Sequence, residues 1–163
     1  MWTNAIDKET KDVQVAFQAL DSSEPIPIGY KFVRYHMLFD VKKEDFRRKS
    51  RLVAVGHMTE QTGVITYARV VYRETVRLAW TIAALNDLEV HCGDVLNAYI
   101  TTPVEEKVWT TLGPEFGADS GKGALIVCAL YGLKSAGAYF RAHIGKFMQG
   151  IGYEPCLADP DYG

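Results

Sequence analysis

Apolar and polar residues change period several times along this chain, and each change predicts a different element. Ala5, Ile6, Val13, Ala16, Phe17 and Leu20 recur roughly at helical spacing among Lys8, Glu9, Lys11 and Asp12, which predicts a helix over 2–20. The run Asp21-Ser22-Ser23-Glu24-Pro25-Ile26-Pro27 is a loop. From 31 to 41 the period drops to two, with Val33, Tyr35, Met37, Phe39 and Val41 on one face, so a strand. Lys42 to Phe46 forms a tip and Arg48 to Val55 returns as a second strand, which makes 31–55 a β-hairpin. Gly56 to Tyr67 is irregular. Val76, Ala79, Trp80, Ala83 and Ala84 give the stripe of a helix over 72–86, ended by Asn86-Asp87. Leu88, Val90 and Cys92 then alternate as a short strand running into Asp94. Strands are expected at 107–112 and 124–130, on either side of a glycine-rich loop at 113–123. A last helix covers 138–150, with Phe140, Ile144, Phe147, Met148 and then Ile151 on one face and Gly150 and Gly152 as stops. The mixture is of the α+β class.

Composition and charge narrow this picture. The 163 residues suit one domain, and 48% apolar with 23% charged residues is a globular balance. The apolar runs fall well short of the ~18 residues of a membrane span. Met1-Trp2-Thr3-Asn4 lacks the basic leader of a signal peptide. Cys92, Cys128 and Cys156 are widely spaced and form no Cys-x-x-Cys, which argues against zinc and for a reducing, intracellular setting, cytoplasmic particle or nucleus alike. The net charge of -2 hides an asymmetry. Residues 31–51 carry eight Lys/Arg against Asp40, Glu44 and Asp45, a net of +5, and the remainder carries -7. A basic patch on the hairpin fits either a phosphate-binding surface or a solvated tip.

Candidate chemistry centres on Asp94. A carboxylate at the end of an apolar strand is costly to bury unpaired, and a hard oxygen ligand there suits Mg2+. Tyr99, five positions on, could wall a substrate pocket. By periodicity alone, an ordinary capping or salt-bridged aspartate is the commoner case. A two-metal site needs a second carboxylate, and these residues contain no Asp-Asp pair. The loop Gly117 to Gly123 fails the phosphate-loop pattern, with Phe116 where the first Gly belongs and Gly123 where Ser or Thr would hold magnesium. His36, His57, His91 and His143 share no metal-ligand spacing.

The ordered set of short motifs says more. Trp2, Ala5-Ile6 and Lys8-Glu9 precede Lys31-Phe32-Val33, Phe39-Asp40-Val41-Lys42 and Arg48-Lys49-Ser50-Arg51-Leu52-Val53-Ala54. Then come Thr66-Tyr67, Glu74-Thr75-Val76-Arg77 and Asp94-Val95-Leu96-Asn97-Ala98-Tyr99. Val108-Trp109, Gly113-Pro114-Glu115-Phe116-Gly117, Ala129-Leu130-Tyr131-Gly132-Leu133-Lys134-Ser135-Ala136-Gly137 and Ala158-Asp159-Pro160-Asp161 complete it. This order resembles the reverse transcriptase region of copia-type retrotransposon polyproteins, over essentially all of residues 2–163.

The resemblance implies the fingers and partial palm of a right-hand polymerase fold, with a basic β-hairpin and two palm helices, fingers over about 1–87 and palm over about 88–163. It implies an RNA-directed DNA polymerase using Mg2+ or Mn2+, with an RNA or DNA template-primer and a dNTP as partners. It makes Asp94 the catalytic metal ligand, helped by the Val95 carbonyl. It makes Tyr99 the gate against a ribose 2′-OH. It brings Lys42, Lys43, Lys49 and Arg51 over the incoming triphosphate or template, and Tyr131, Gly132 and Lys134 beside the nascent base pair. The family's Tyr-x-Asp-Asp turn is not among these residues, and Asp159-Pro160-Asp161 does not replace it. The chain alone is therefore expected to be inactive, and to be marginally stable or to associate with itself. A non-catalytic nucleic-acid- or partner-binding module is the alternative. Ser50 and Val55 stand where relatives usually carry Ala and Gly, and Val55 would be strained if the position needed a positive φ.

Overall fold

The computed structural model describes residues 2–21, 23–56 and 70–155. His57, Thr66, Tyr67, Cys156, Ala158, Asp159, Pro160 and Asp161, and the irregular stretch read after Gly56, lie outside the described residues. The elements are α1 (Thr3–Val13), β1 (Phe17–Ala19), β2 (Lys31–Phe32), β3 (Tyr35–Val41), β4 (Arg48–Ala54), α2 (Arg73–Leu85), β5 (Val108–Thr111), β6 (Gly123–Ile126) and α3 (Ala136–Gly150). Short 3-10 turns occupy Gln14–Ala16 and Pro114–Asp119. The class is α+β, as expected.

The strands form two sheets. One has the order β1-β6-β5-β2, in which β6 runs antiparallel to β1 and β5, and β2 runs parallel to β5. The other is the antiparallel pair β3–β4, in register from Tyr35 opposite Ala54 to Val41 opposite Arg48.

Three expectations need correction. The first helix stops at Val13, and Phe17–Ala19 form a strand against Ala124–Ile126. The spacing of Ala16, Phe17 and Leu20 fits a helix, but the ladder to β6 satisfies more backbone groups at that point: Leu20 N–H donates to Gly123 O at 2.9 Å, and Ala16 O accepts from Val127 N–H at 2.9 Å. The strand read over 31–41 is two strands in two sheets. Val33 N–H still donates to Trp109 O, 2.8 Å, whereas Arg34 O accepts from Val55 N–H, 2.7 Å. The alternation runs through this change of partner because Val33, Tyr35 and Met37 face one core.

The third correction is larger. Residues 88–94 form no strand. Alternation supplies a face, but a strand also needs a hydrogen-bonded neighbour. The Leu88 amide instead returns to Ala83 O at 2.9 Å, closing the end of α2.

The core gathers Val13, Ala16, Val33, Leu52, Ala54, Val108, Ile126, Ala129, Leu130, Leu133 and Ala136. Each large side chain fully buried in it contributes about 1.5–3 kcal/mol. Helix α1 lies along the outer edge of β4. Ser50 Oγ donates to Ala5 O at 2.6 Å, and Leu52 N–H donates to Glu9 Oε1 at 2.9 Å. These bonds account for the buried serine and cover a strand edge that would otherwise present unpaired groups. Val55 is not among the residues with positive φ, so its branched side chain carries no such strain.

Helix α2 contributes nothing to this core. None of its residues is buried, and Leu78, Trp80, Ile82 and Leu85 are exposed. Among the described residues, no helix is long and apolar enough to cross a membrane.

Candidate functional site

The turn Tyr131-Gly132-Leu133-Lys134 lies against the end of β4. Ala54 N–H donates to Tyr131 O at 2.7 Å, and Val53 and Tyr131 form an isolated parallel bridge. The approach is close enough to require glycine. A Cβ on Gly132 would sit 1.9 Å from Ala54 O, and its φ of +90° belongs to glycine as well. Gly56 is equally tight: a Cβ there would meet Gly132 O at 2.4 Å. The two segments are thus locked backbone to backbone.

This contact fixes a line of rings and one cation. The Arg51 guanidinium lies 5.9 Å from the Tyr131 ring centroid. Tyr131 meets Tyr99 edge-on at 4.9 Å, and Tyr99 meets Phe140 of α3 at 5.9 Å. Tyr99 is held in its turn because its carbonyl accepts from Thr102 N–H at 2.9 Å, while Thr102 Oγ1 donates to Ala98 O at 3.3 Å. Tyr131 keeps its ring partly in solvent, so the line ends on an accessible surface. Lys134, half-buried, follows in the same turn.

The β3–β4 pair has two unlike faces. Tyr35, Met37, Phe39 and Val41 share one with Ser50, Leu52 and Ala54. His36, Leu38 and Asp40 share the other with Lys49, Arg51 and Val53. Lys49 and Arg51 therefore stand two residues apart on the outer face. Partial burial, then the charges of Arg51 and Lys42, pull the Lys49 ammonium below its ordinary range. Glu9 sits on the same edge, and burial raises its carboxyl above the usual value. Lys42 and Lys43 lie at the tip, away from the Tyr131 turn.

Asp94 and Val95 are placed differently. Both are exposed on an irregular segment, followed by turn residues that include Asn97 at φ +53°. Among the described residues, no three His, Cys, Asp or Glu side chains come together to hold a metal ion. Asp94 and the Val95 carbonyl have the hard-oxygen chemistry Mg2+ prefers, but one carboxylate is short of a two-metal site. In the loop at 113–123, Lys122 Nζ is bonded to Asp119 at 2.7 Å.

Of the predicted residues, the structure therefore joins Arg51, Tyr99, Tyr131 and Gly132. It sets Lys49 beside them, Lys42 and Lys43 at the tip, and leaves Asp94 and Val95 on a separate exposed segment.

Sequence reasoning missed the group that braces the hairpin base. Tyr35 Oη donates to Glu115 Oε1 at 2.5 Å and accepts from Gly113 N–H at 2.6 Å, with its ring against the contacting pair Phe17 and Phe116. Burial, then the Glu115 bond, push the Tyr35 phenol well above its normal range. The Gly113-Pro114-Glu115-Phe116 motif held the signal, since a Cβ on Gly113 would fall 2.5 Å from Glu115 Oε2.

Comparison with known proteins now bears on this geometry. The sequence pattern of the family described as reverse transcriptase (RNA-dependent DNA polymerase) matches residues 18–160. The chain belongs to the copia-type reverse transcriptase family. It is 30% identical over 146 residues to the Retrovirus-related Pol polyprotein from transposon TNT 1-94 of Nicotiana tabacum, covering 83% of this chain and 11% of that protein. This reverse transcriptase chain thus spans about a tenth of the length of that relative. No solved structure matches it.

Proposed function

We propose that these 163 residues supply the fingers and part of the palm of an RNA-directed DNA polymerase, with fingers over about 1–87 and palm over about 88–163. The outer face of β3–β4 and the Tyr131 turn form the surface that meets template and incoming nucleotide. The observation that carries this reading is the junction of Arg51, Tyr131 and Tyr99, joined by backbone contact at Gly132. A guanidinium over an aromatic ring, with a second ring edge-on, suits a phosphate next to a stacked base. Lys49, Lys42 and Lys43 extend the cationic track toward the tip, Lys134 lies in the Tyr131 turn, and Tyr99 is positioned to limit the space beside the sugar.

Asp94 supplies one carboxylate of the metal site, with the Val95 carbonyl. Nucleotidyl transfer needs a second carboxylate converging on it, and among the described residues no group of metal-binding side chains gathers there. By itself the polypeptide binds nucleic acid and does not extend a primer. The second reading, a binding module without catalysis, draws on the exposed position of Asp94.

Two assays separate the readings. Binding to nucleic acid should be independent of sequence and should weaken with salt, with a log–log slope of roughly -0.7 to -0.9 per phosphate contact. Replacing Lys42, Lys43, Lys49 and Arg51 together by Ala should weaken binding to all sequences alike and flatten that slope. Unchanged binding in this quadruple variant would contradict the proposed surface. Primer extension by the 163-residue polypeptide, abolished by Asp94→Asn, would contradict the expected inactivity.

A further inference from the structure

The tip of the β3–β4 pair ends on a residue that neither packing nor backbone geometry explains. Lys42 N–H donates to Arg47 O at 2.9 Å, so Lys43 to Phe46 cross from one strand to the other. Asp45 Oδ1 accepts from Arg47 N–H at 3.0 Å and steadies the last step. Phe46 takes φ +51°, a left-handed conformation that glycine or asparagine ordinarily occupies at a hairpin tip. A bulky side chain is strained there. The strain is not repaid by burial, because Phe46 is 81% exposed.

Its surroundings point to an occupant. Lys42 and Lys43 precede the ring on the same tip, with Glu44 and Asp45 between; Arg47 is drawn to Asp45 at 3.5 Å and Arg48 lies over the Trp2 ring at 5.7 Å, which leaves the two lysines as the cations that can serve an occupant of the tip. An exposed ring on a turn that also carries lysines is an arrangement suited to single-stranded nucleic acid, with a base on the ring and phosphates on the charges. A duplex offers the same phosphates but keeps its bases stacked on each other.

We infer that Phe46 is a stacking residue, taking an unpaired base of single-stranded RNA or DNA while the ammonium groups of Lys42 and Lys43 meet the flanking phosphates. The inference rests on the nucleic-acid reading of the hairpin and adds to it a preference for unpaired strands.

The test is fluorescence anisotropy of labelled oligo(dT), free and annealed to its complement, with the wild-type chain, Phe46→Gly, Phe46→Trp and the Lys42/Lys43/Lys49/Arg51 quadruple alanine variant. Phe46→Gly should lose about tenfold or more in single-strand affinity, with the salt slope and the duplex affinity unchanged. It should also melt at a higher temperature, because glycine relieves the left-handed strain, so misfolding cannot account for the loss. Phe46→Trp should keep single-strand binding. If Phe46→Gly binds the single strand as wild type does while the quadruple variant loses affinity, the stacking role is overturned and the hairpin surface stands. If neither variant changes binding, both fall.

Discussion

Residues 2–21 and 23–56 with 99–140 form one kind of structure, and residues 70–98 another. The first region holds the buried core, the close backbone contact at Gly132 and the line Arg51–Tyr131–Tyr99–Phe140. The second holds α2 and the Asp94 segment, and none of its residues is buried. Both are rich in apolar side chains, so hydrophobic content does not separate them. What separates them is pairing. Strands β1 to β6 each have a hydrogen-bonded neighbouring strand, whereas 88–94 pairs with no strand among the described residues. The surface proposed to meet nucleotide thus stands on a packed scaffold, while Asp94, the proposed metal ligand, lies on a segment with no buried residue.

Matched substitutions can break this comparison, and the largest effect belongs to Gly132. Gly132→Ala drives a Cβ into Ala54 O and demands a positive φ. A loss on the order of 4–5 kcal/mol is expected, enough to unfold a marginal domain. Gly93→Ala, where nothing lies within 4 Å of the added atom, should change stability by less than about 0.5 kcal/mol. Urea denaturation read through circular dichroism measures both. Similar costs at the two sites would erase the distinction.

Core leucines come next. Leu52 is fully buried, so Leu52→Ala should cost about 2–5 kcal/mol. Leu78 on α2 is 62% exposed, and Leu78→Ala should cost under about 0.5 kcal/mol. A large loss at Leu78 would mean that α2 is packed in solution.

The smallest effect sharpens the edge between α1 and β4. Burial raises the Glu9 carboxyl above its unfolded value, so the protonated form is the one favoured by folding. Its contribution is fully present below the unfolded pKa and is lost as pH rises through the folded one. Glu9→Gln keeps an oxygen for the Leu52 amide and removes the charge. The variant should therefore gain on the wild type as pH rises from the ordinary carboxylate range through the raised value of the folded state, by a fraction of a kcal/mol, since water screens a partly buried group. Chemical denaturation across that range reads the difference. A variant that loses ground as pH rises would show that ionised Glu9 is favoured by Lys49 and Arg51 over the cost of its burial.

Much of the fold was legible in the residues. The helical periods gave α2 and α3 to within two residues of Arg73–Leu85 and Ala136–Gly150, because a 3.6-residue repeat is a property of the segment alone. Pairing is not such a property. The division of 31–41 between two sheets, the strand at Phe17–Ala19 and the missing strand at 88–94 all turn on which neighbour is present. The same holds for the site. Arg51, Tyr99 and Tyr131 came from the order of motifs, whereas the Tyr35–Glu115–Gly113 brace and the left-handed Phe46 are tertiary facts. The Asp45-Phe46 tip could have raised the question, since a turn there asks for glycine.

Native-state hydrogen exchange, resolved along the chain by mass spectrometry, tests the central claim most directly. The amides of Leu52, Ala54, Ala124 to Ile126 and Leu133 are bonded and belong to buried residues, and they should exchange slowly, through opening of the core. The amides of Glu89 to Asp94 should exchange within the fastest class. Slow exchange across 89–94, comparable with that of β4, would show a formed and partnered strand under Asp94, and would contradict the account of a built nucleotide surface beside an unscaffolded metal ligand.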